Sequence, residues 1–185
     1  TDIALTANGE LEAQEVAQRL GDVPFSQALT SPRLRARQAC RLAKLGKLAE
    51  IEPDLAEWDY GDYEGKRPMD IRRQQSDWNL YQHGCPQGET PEQITARADR
   101  QISRLRTLRG NIALFSHGQF GSALAVRWVG LPLMAAAHFP LAMASISILT
   151  FSPHYPEVPV IALWNAVSRR QTTPPATLAD AALQL

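Results

Sequence analysis

Between Asn8 and Trp164, stretches with a helical apolar period alternate with short apolar runs of strand length. No other feature of the chain restricts its fold as strongly. Ala13, Val16, Ala17 and Leu20 lie at i, i+3, i+4 and i+7, one face of a helix between Asn8 and Gly21. A short strand around Gln27 to Thr30 follows. Ser31-Pro32 then reads as the N-cap and first-turn proline of a second helix that reaches about Leu45 and stops at Gly46. Leu48 to Ile51 is strand-like. Thr90-Pro91-Glu92-Gln93 combines an N-cap, a first-turn proline and a capping-box glutamine, and opens a long helix whose apolar stripe is Ile94, Ala98, Ile102 and Leu105. Asn111 to Ser116, bounded by Gly110 and His117-Gly118, has the profile of a strand buried on both faces. A helix to about Val129 and two strands, near Ala144 to Phe151 and Val158 to Trp164, complete the pattern. This order predicts an α/β domain, a three-layer α/β/α sandwich with a mostly parallel sheet, whose ligands bind at the carboxyl ends of the strands.

The remaining segments are irregular. Glu57 to Gly65 reads as a loop rich in acids, aromatics and glycine, Pro68 to Ser76 as a short helix, and His83 to Gly88 as a further connection. The most apolar stretch, Leu131 to Leu149, is interrupted by His138, Pro140, Ser145 and Ser147, which makes it a helix end, a turn and a strand rather than a membrane span. Gln171 to Leu185 reads as a tail or a lightly docked terminal helix.

A chain of 185 residues suits one domain with a sizeable core. Its 19 basic and 19 acidic side chains cancel, which argues against nucleic acid or anionic lipid as a partner. The basic set is 16 arginines to 3 lysines, a bias toward bidentate recognition of oxyanions. Two cysteines, Cys40 and Cys85, make no disulfide framework and read as reduced thiols of a cytosolic protein. The opening Thr1-Asp2-Ile3-Ala4-Leu5-Thr6 carries neither the basic region nor the apolar run of a signal peptide.

Three features stand out for chemistry. His117 leaves an apolar strand and precedes glycine and a helix, so its imidazole lies beside free backbone N–H groups, a natural anion site; a histidine that merely ends a strand is an equal reading. Arg33, Arg35 and Arg37 crowd a helix start, where the dipole disfavours cations by about 0.3–1 kcal/mol, so one of them there hints at a bound anion. Glu57, flanked by Trp58 and Tyr60, is a proton donor if partly buried and a solvated loop acid otherwise. Other chemistries fit less well. His83-x-Cys85 supplies too few ligands for zinc, Gly118-x-x-Gly121-Ser122 lacks the lysine of a P-loop, and no Gly-x-Ser-x-Gly elbow is present. Arg97, Arg100, Arg104, Arg106 and Arg109 read most simply as a solvated helix face.

Five blocks in order resemble the histidine phosphatase superfamily, the phosphoglycerate mutase-like family. They are Thr1-Asp2-Ile3-Ala4-Leu5-Thr6-Ala7-Asn8-Gly9-Glu10, Thr30-Ser31-Pro32-Arg33-Leu34-Arg35-Ala36-Arg37-Gln38, Leu55-Ala56-Glu57-Trp58-Asp59-Tyr60-Gly61-Asp62-Tyr63-Glu64-Gly65, Gly88-Glu89-Thr90, and Phe115-Ser116-His117-Gly118. The resemblance implies a phosphoric monoester hydrolase that works through a phosphohistidine on a small phosphorylated metabolite such as a sugar phosphate. In it Arg35 clamps the phosphate, His117 donates to it, and Glu57 protonates the leaving oxygen and then activates water. Backbone N–H groups at Gly118 and Gln119 complete the cradle. No cofactor or metal is implied, nor any nucleic-acid or membrane partner, and the setting is cytoplasmic; a homo-oligomer is compatible with all of this.

The family's nucleophile sits in an Arg-His-Gly motif ending a first, central strand upstream of the Thr-Asp-x-x-Leu-Thr block, and the sequence opens at that block. The expectation is therefore a phosphatase domain over residues 1–170, incomplete at its N-terminus and short of its first strand, followed by a tail over 171–185. The short interval between Glu64-Gly65 and Gly88-Glu89 favours phosphatase over mutase, since the mutases carry a longer insertion there. Two other readings stand beside it: a non-catalytic module that binds phosphate esters, and a phosphoglycerate mutase.

Overall fold

The computed structural model describes residues 1–168; the tail expected over 171–185 lies outside them. Helix α1 spans Ala7–Leu20, with Thr6 as its N-cap accepting from the Gly9 N–H. Strand β1 (Phe25–Thr30) is the middle of a parallel sheet, with β2 (Ala49–Ile51) on one side and β3 (Asn111–Phe115) on the other. Alternate β1 residues divide the core. Ala28 joins Ala113 and Cys40 on one face, beneath α2 (Leu34–Leu42), while Leu29 joins a larger cluster on the other face. That cluster is built from α5 (Pro91–Leu105) and α6 (Gly118–Trp128), through Ile94, Ala98, Ile102, Phe120, Ala123 and Leu124. A period of two within the strand thus feeds helices on both faces, and the α/β architecture with a parallel sheet is present as expected.

The capping box at Thr90 and Gln93 forms in full. The start of α2 differs from the expectation. Ser31 does not cap it and Pro32 is not in its first turn; the N-cap position is Arg33, which makes no side-chain capping bond. Asp2 does the capping from a distance, its Oδ1 accepting the Leu34 N–H at 2.6 Å. The helix also ends earlier than expected, at Leu42. Short helices α3 (Pro68–Arg72) and α4 (Leu80–His83) lie in the segment between the Glu64-Gly65 and Gly88-Glu89 blocks. Gly61, at a φ of +47°, and Gly88 press backbone against backbone, so a side chain on either would run into the opposite loop. That close approach lets Asp62 donate to the Pro86 carbonyl and Glu89 to the Asp59 carbonyl, both at 2.9 Å.

Strands β4 (Ile146–Phe151) and β5 (Pro159–Ala166) form a separate antiparallel hairpin. It is held from two sides: the Trp128 indole of α6 donates to the Thr150 carbonyl and packs on Phe151, and Arg19 of α1 donates to the Ala144 and Ala166 carbonyls. Among the described residues β3 pairs only with β1 and β4 only with β5. The expectation that Asn111 to Ser116 is buried on both faces therefore fails. Of its residues only Ala113 is buried, because among the described residues no strand lies beside the outer edge of β3. On the hairpin Ile148, Phe151 and Leu163 are likewise exposed.

Among the described residues no helix is long and apolar enough to cross a membrane. Cys40 and Cys85 are free thiols, both buried, and burial pushes each up to about 11.

Candidate active site

The three parallel strands deliver their carboxyl ends to one place. Ser31 follows β1 and donates its N–H to the Phe115 carbonyl at 2.8 Å. Glu52 follows β2 and donates to the Thr30 carbonyl at 2.8 Å. Ser116 follows β3, and its hydroxyl donates to the Leu55 carbonyl at 2.8 Å. The residues after each strand are thereby tied to one another, as expected of a ligand site at the carboxyl edge of such a sheet.

His117 occupies the N-cap position of α6, but its ring does not cap the helix. Its Nε2 lies 2.7 Å from the hydroxyl of Ser31, which is fully buried and also accepts the Arg33 N–H. Burial, followed by the charges of Arg35, Arg33 and Arg97, lowers the His117 pKa to about 4. Arg35 lies in the first turn of α2, and its guanidinium donates to the Thr1 carbonyl at 3.0 Å. An imidazole held neutral among guanidinium groups has the chemistry to receive an oxyanion.

Glu57 is not a solvated loop acid. Its carboxylate sits on the N-terminus of α6, where it accepts the Phe120 N–H at 3.0 Å and the Gln119 N–H at 3.3 Å; it also accepts the Trp58 N–H at 2.9 Å. Here the expected cradle must be corrected. The Gln119 N–H is already committed to Glu57, because a carboxylate outcompetes water for the positive end of a helix. Gly118 stands at the start of α6 with room around it: a side chain there would meet only the Leu141 carbonyl, at 3.9 Å. The Gln119 side chain accepts from the hydroxyl of Tyr81, a phenol that burial pushes up to about 12.

The long helix holds the largest departure from the sequence reading. Arg97, taken as part of a solvated face, is buried. Its guanidinium pairs with both Glu89 carboxylate oxygens at 2.7 and 2.8 Å, donates to the Asp54 and Ala56 carbonyls at 2.8 and 2.7 Å, and stacks 4.2 Å from the Phe120 ring. Arg100 pairs with Asp54, Arg104 with Glu50 and Glu52, and Arg106 lies over Trp128. Arg97 and Glu89 together hold the backbone that leads into Glu57. The signal was available in the Gly88-Glu89-Thr90 block: a carboxylate just before an N-cap and a guanidinium eight residues later on the same helix. Among the described residues no group of three or more His, Cys, Asp or Glu is placed to hold a metal ion.

The chain matches the histidine phosphatase superfamily (branch 1) over residues 1–166. It belongs to that superfamily. Against an acid phosphatase of Mycobacterium tuberculosis it is 37% identical over 167 residues, covering 88% of this chain and 82% of the relative. Against sedoheptulose 1,7-bisphosphatase of Saccharomyces cerevisiae it is 32% identical over 164 residues, covering 71% of this chain and 60% of the yeast protein. The solved structure of an open reading frame of M. tuberculosis superposes with a TM-score of 0.85 at 34% identity, covering 90% of this chain and 86% of that one. Superfamily membership makes the convergence of Arg35, His117 and Glu57 the natural place to look for phosphate-ester chemistry.

The lowered His117 pKa has a measurable consequence. Between about pH 4 and the ordinary histidine range the unfolded chain binds a proton that the folded chain does not, so stability rises with pH across that window and levels off above it. NMR titration of the His117 ring is expected to show a neutral imidazole down to about pH 4. Saturating phosphate is expected to raise that midpoint through the negative charge it would place opposite Arg35. A ring that titrates at its ordinary pKa, with or without phosphate, contradicts this picture.

Proposed function

We propose that this site belongs to a phosphoric monoester hydrolase that turns over a small phosphorylated metabolite, such as a sugar phosphate, through a phosphohistidine. The observation that carries the reading is the meeting of Arg35, His117 and Glu57 at the carboxyl ends of β1, β3 and β2. Relatives named as an acid phosphatase and a sugar bisphosphatase support it. The nucleophilic imidazole is proposed to arrive on a strand that lies between β3 and β4, from sequence preceding Thr1. The unpaired outer edge of β3 and the separate β4–β5 hairpin, both packed against α6, support that placement.

In this mechanism the imidazole nitrogen attacks phosphorus and the ester oxygen leaves. Arg35 and His117 hold the equatorial oxygens as charge gathers on them. Glu57 delivers a proton to the departing alkoxide and, in the second displacement, takes one from the water that releases orthophosphate. Its perch on the α6 N-terminus keeps the carboxylate at the rim of the site, where both partners can reach it.

The test is turnover of sugar phosphates by the natural full-length protein, with acid quenching to look for an acid-labile phosphoenzyme. Turnover with such an intermediate is expected, and Arg35→Ala and His117→Ala should each lower kcat by about 10²–10³-fold. Tight binding of orthovanadate without turnover of any ester would overturn the hydrolase in favour of a phosphate-ester-binding module. A natural N-terminus at Thr1 would sink the strand proposed beside β3.

A further inference from the structure

Beside the catalytic pocket, on the outer side of α2, a groove of about 660 Å³ runs between that helix and edge strand β2. Its rim carries Arg37, Arg41, Lys44 and Lys47, and its floor includes the exposed side chains of Leu34 and Ile51. Among the described residues no carboxylate lines it. Among the described residues none of the four cations has an ion pair or a side-chain hydrogen bond, whereas Arg97, Arg100, Arg104 and Arg127 each take a carboxylate. The acids nearest in sequence, Glu50 and Glu52 of the β2 segment, are engaged by Arg104. A chain with no net charge thus concentrates four unpaired cations on one concave surface.

Lys44 adds an independent observation. It follows the C-cap of α2 with a φ of +64°, the left-handed position that usually falls to glycine and that strains another residue. Helix-dipole complementarity accounts for cations in the last turn of α2. It does not account for a lysine at a strained position, or for Arg37 near the helix start, where the dipole opposes it.

We propose that this groove is a second anion site, distinct from the catalytic pocket, for a small molecule bearing several closely spaced phosphates. Arg37 and Arg41, at i and i+4, lie on one side of α2, and Lys44 and Lys47 line the same groove just beyond the end of the helix, a row of cations suited to two or three linked phosphates. The volume is that of a small-ligand site, and Leu34 and Ile51 give an organic portion an apolar floor. Because Leu34 adjoins Arg35 in the first turn of α2, an occupant of the groove contacts the turn that aims the phosphate clamp.

The experiment is calorimetric titration of the full-length protein with tripolyphosphate, and separately with magnesium-free ATP, each in saturating orthovanadate and at matched ionic strength. Saturable one-to-one binding of either probe in the presence of vanadate is expected. Equal affinities identify a bare phosphate chain as the ligand chemistry; tighter ATP assigns its organic portion to the Leu34 and Ile51 floor. Arg41→Gln and Lys44→Gly should each weaken binding by about tenfold, the loss of one charge-assisted contact. Lys44→Gly should do so while leaving thermal stability unchanged or higher, which a purely structural lysine would not. Binding abolished by vanadate or by Arg35→Ala would relocate the probe to the catalytic pocket and overturn the proposal. So would affinities that Arg41→Gln and Lys44→Gly leave unchanged, or no saturable binding of either probe. Vanadate binding is read on its own, so failure of the groove and failure of the catalytic reading are separable.

Discussion

Replacing Arg97 with alanine is expected to lower the free energy of unfolding by about 3–5 kcal/mol, the cost of breaking a buried ion pair from one side. The substitution strands the Glu89 carboxylate and leaves the Asp54 and Ala56 carbonyls without their donor, in a part of the core that also loses its stack on Phe120. Urea denaturation measures it directly. Arg97→Met/Glu89→Gln, which removes both charges and keeps most of the packing, should recover a large part of the loss, since the penalty lies in the uncompensated partner. Activity should fall further than stability explains, because the same guanidinium anchors the turn that presents Glu57. An Arg97→Ala protein that melts and turns over like the parent would remove Arg97 from this role.

Glu57→Ala should act in opposite directions on turnover and on phosphate binding. Loss of the group proposed as proton donor and base is expected to lower kcat by about 10²–10⁴-fold. The same change frees the Gln119 and Phe120 N–H groups and removes a negative charge from the pocket, so orthophosphate and orthovanadate should bind more tightly than to the parent. Weaker vanadate binding would mean that the carboxylate supports the clamp instead of competing with it. Turnover at the parental rate would assign the proton transfers to another group.

The alternation of elements was legible because helix and strand periods are local, and so was the capping box at Thr90, whose partners stand three residues apart. The start of α2 was not. Ser31-Pro32 has the composition of a helix start, yet the sequence offers no way to see that the buried Ser31 hydroxyl sits against the His117 imidazole, or that Asp2 supplies the cap across the chain. Arg97 departs from the solvated-face expectation for a related reason, while Arg100, Arg106 and Arg109 are exposed in accord with it. Polar residues at helical spacing look solvated until the carboxylates and carbonyls that face them, at positions 50 to 57 and 89, are folded against the same helix.

Arg35, Glu57 and His117 stand out in the chain alone, with roles that the family resemblance implies, and the fold sets all three after the carboxyl ends of the parallel strands. The partners of the polar side chains emerge only from the folded contacts. Glu57 takes two of the helix N–H groups, His117 leans on Ser31, and Arg97 leaves the surface to bind Glu89. The physical reason is that strand and helix identity follow from neighbours along the chain, while a polar side chain's partner is set by whichever donor or acceptor the fold brings within about 3 Å and shields from water.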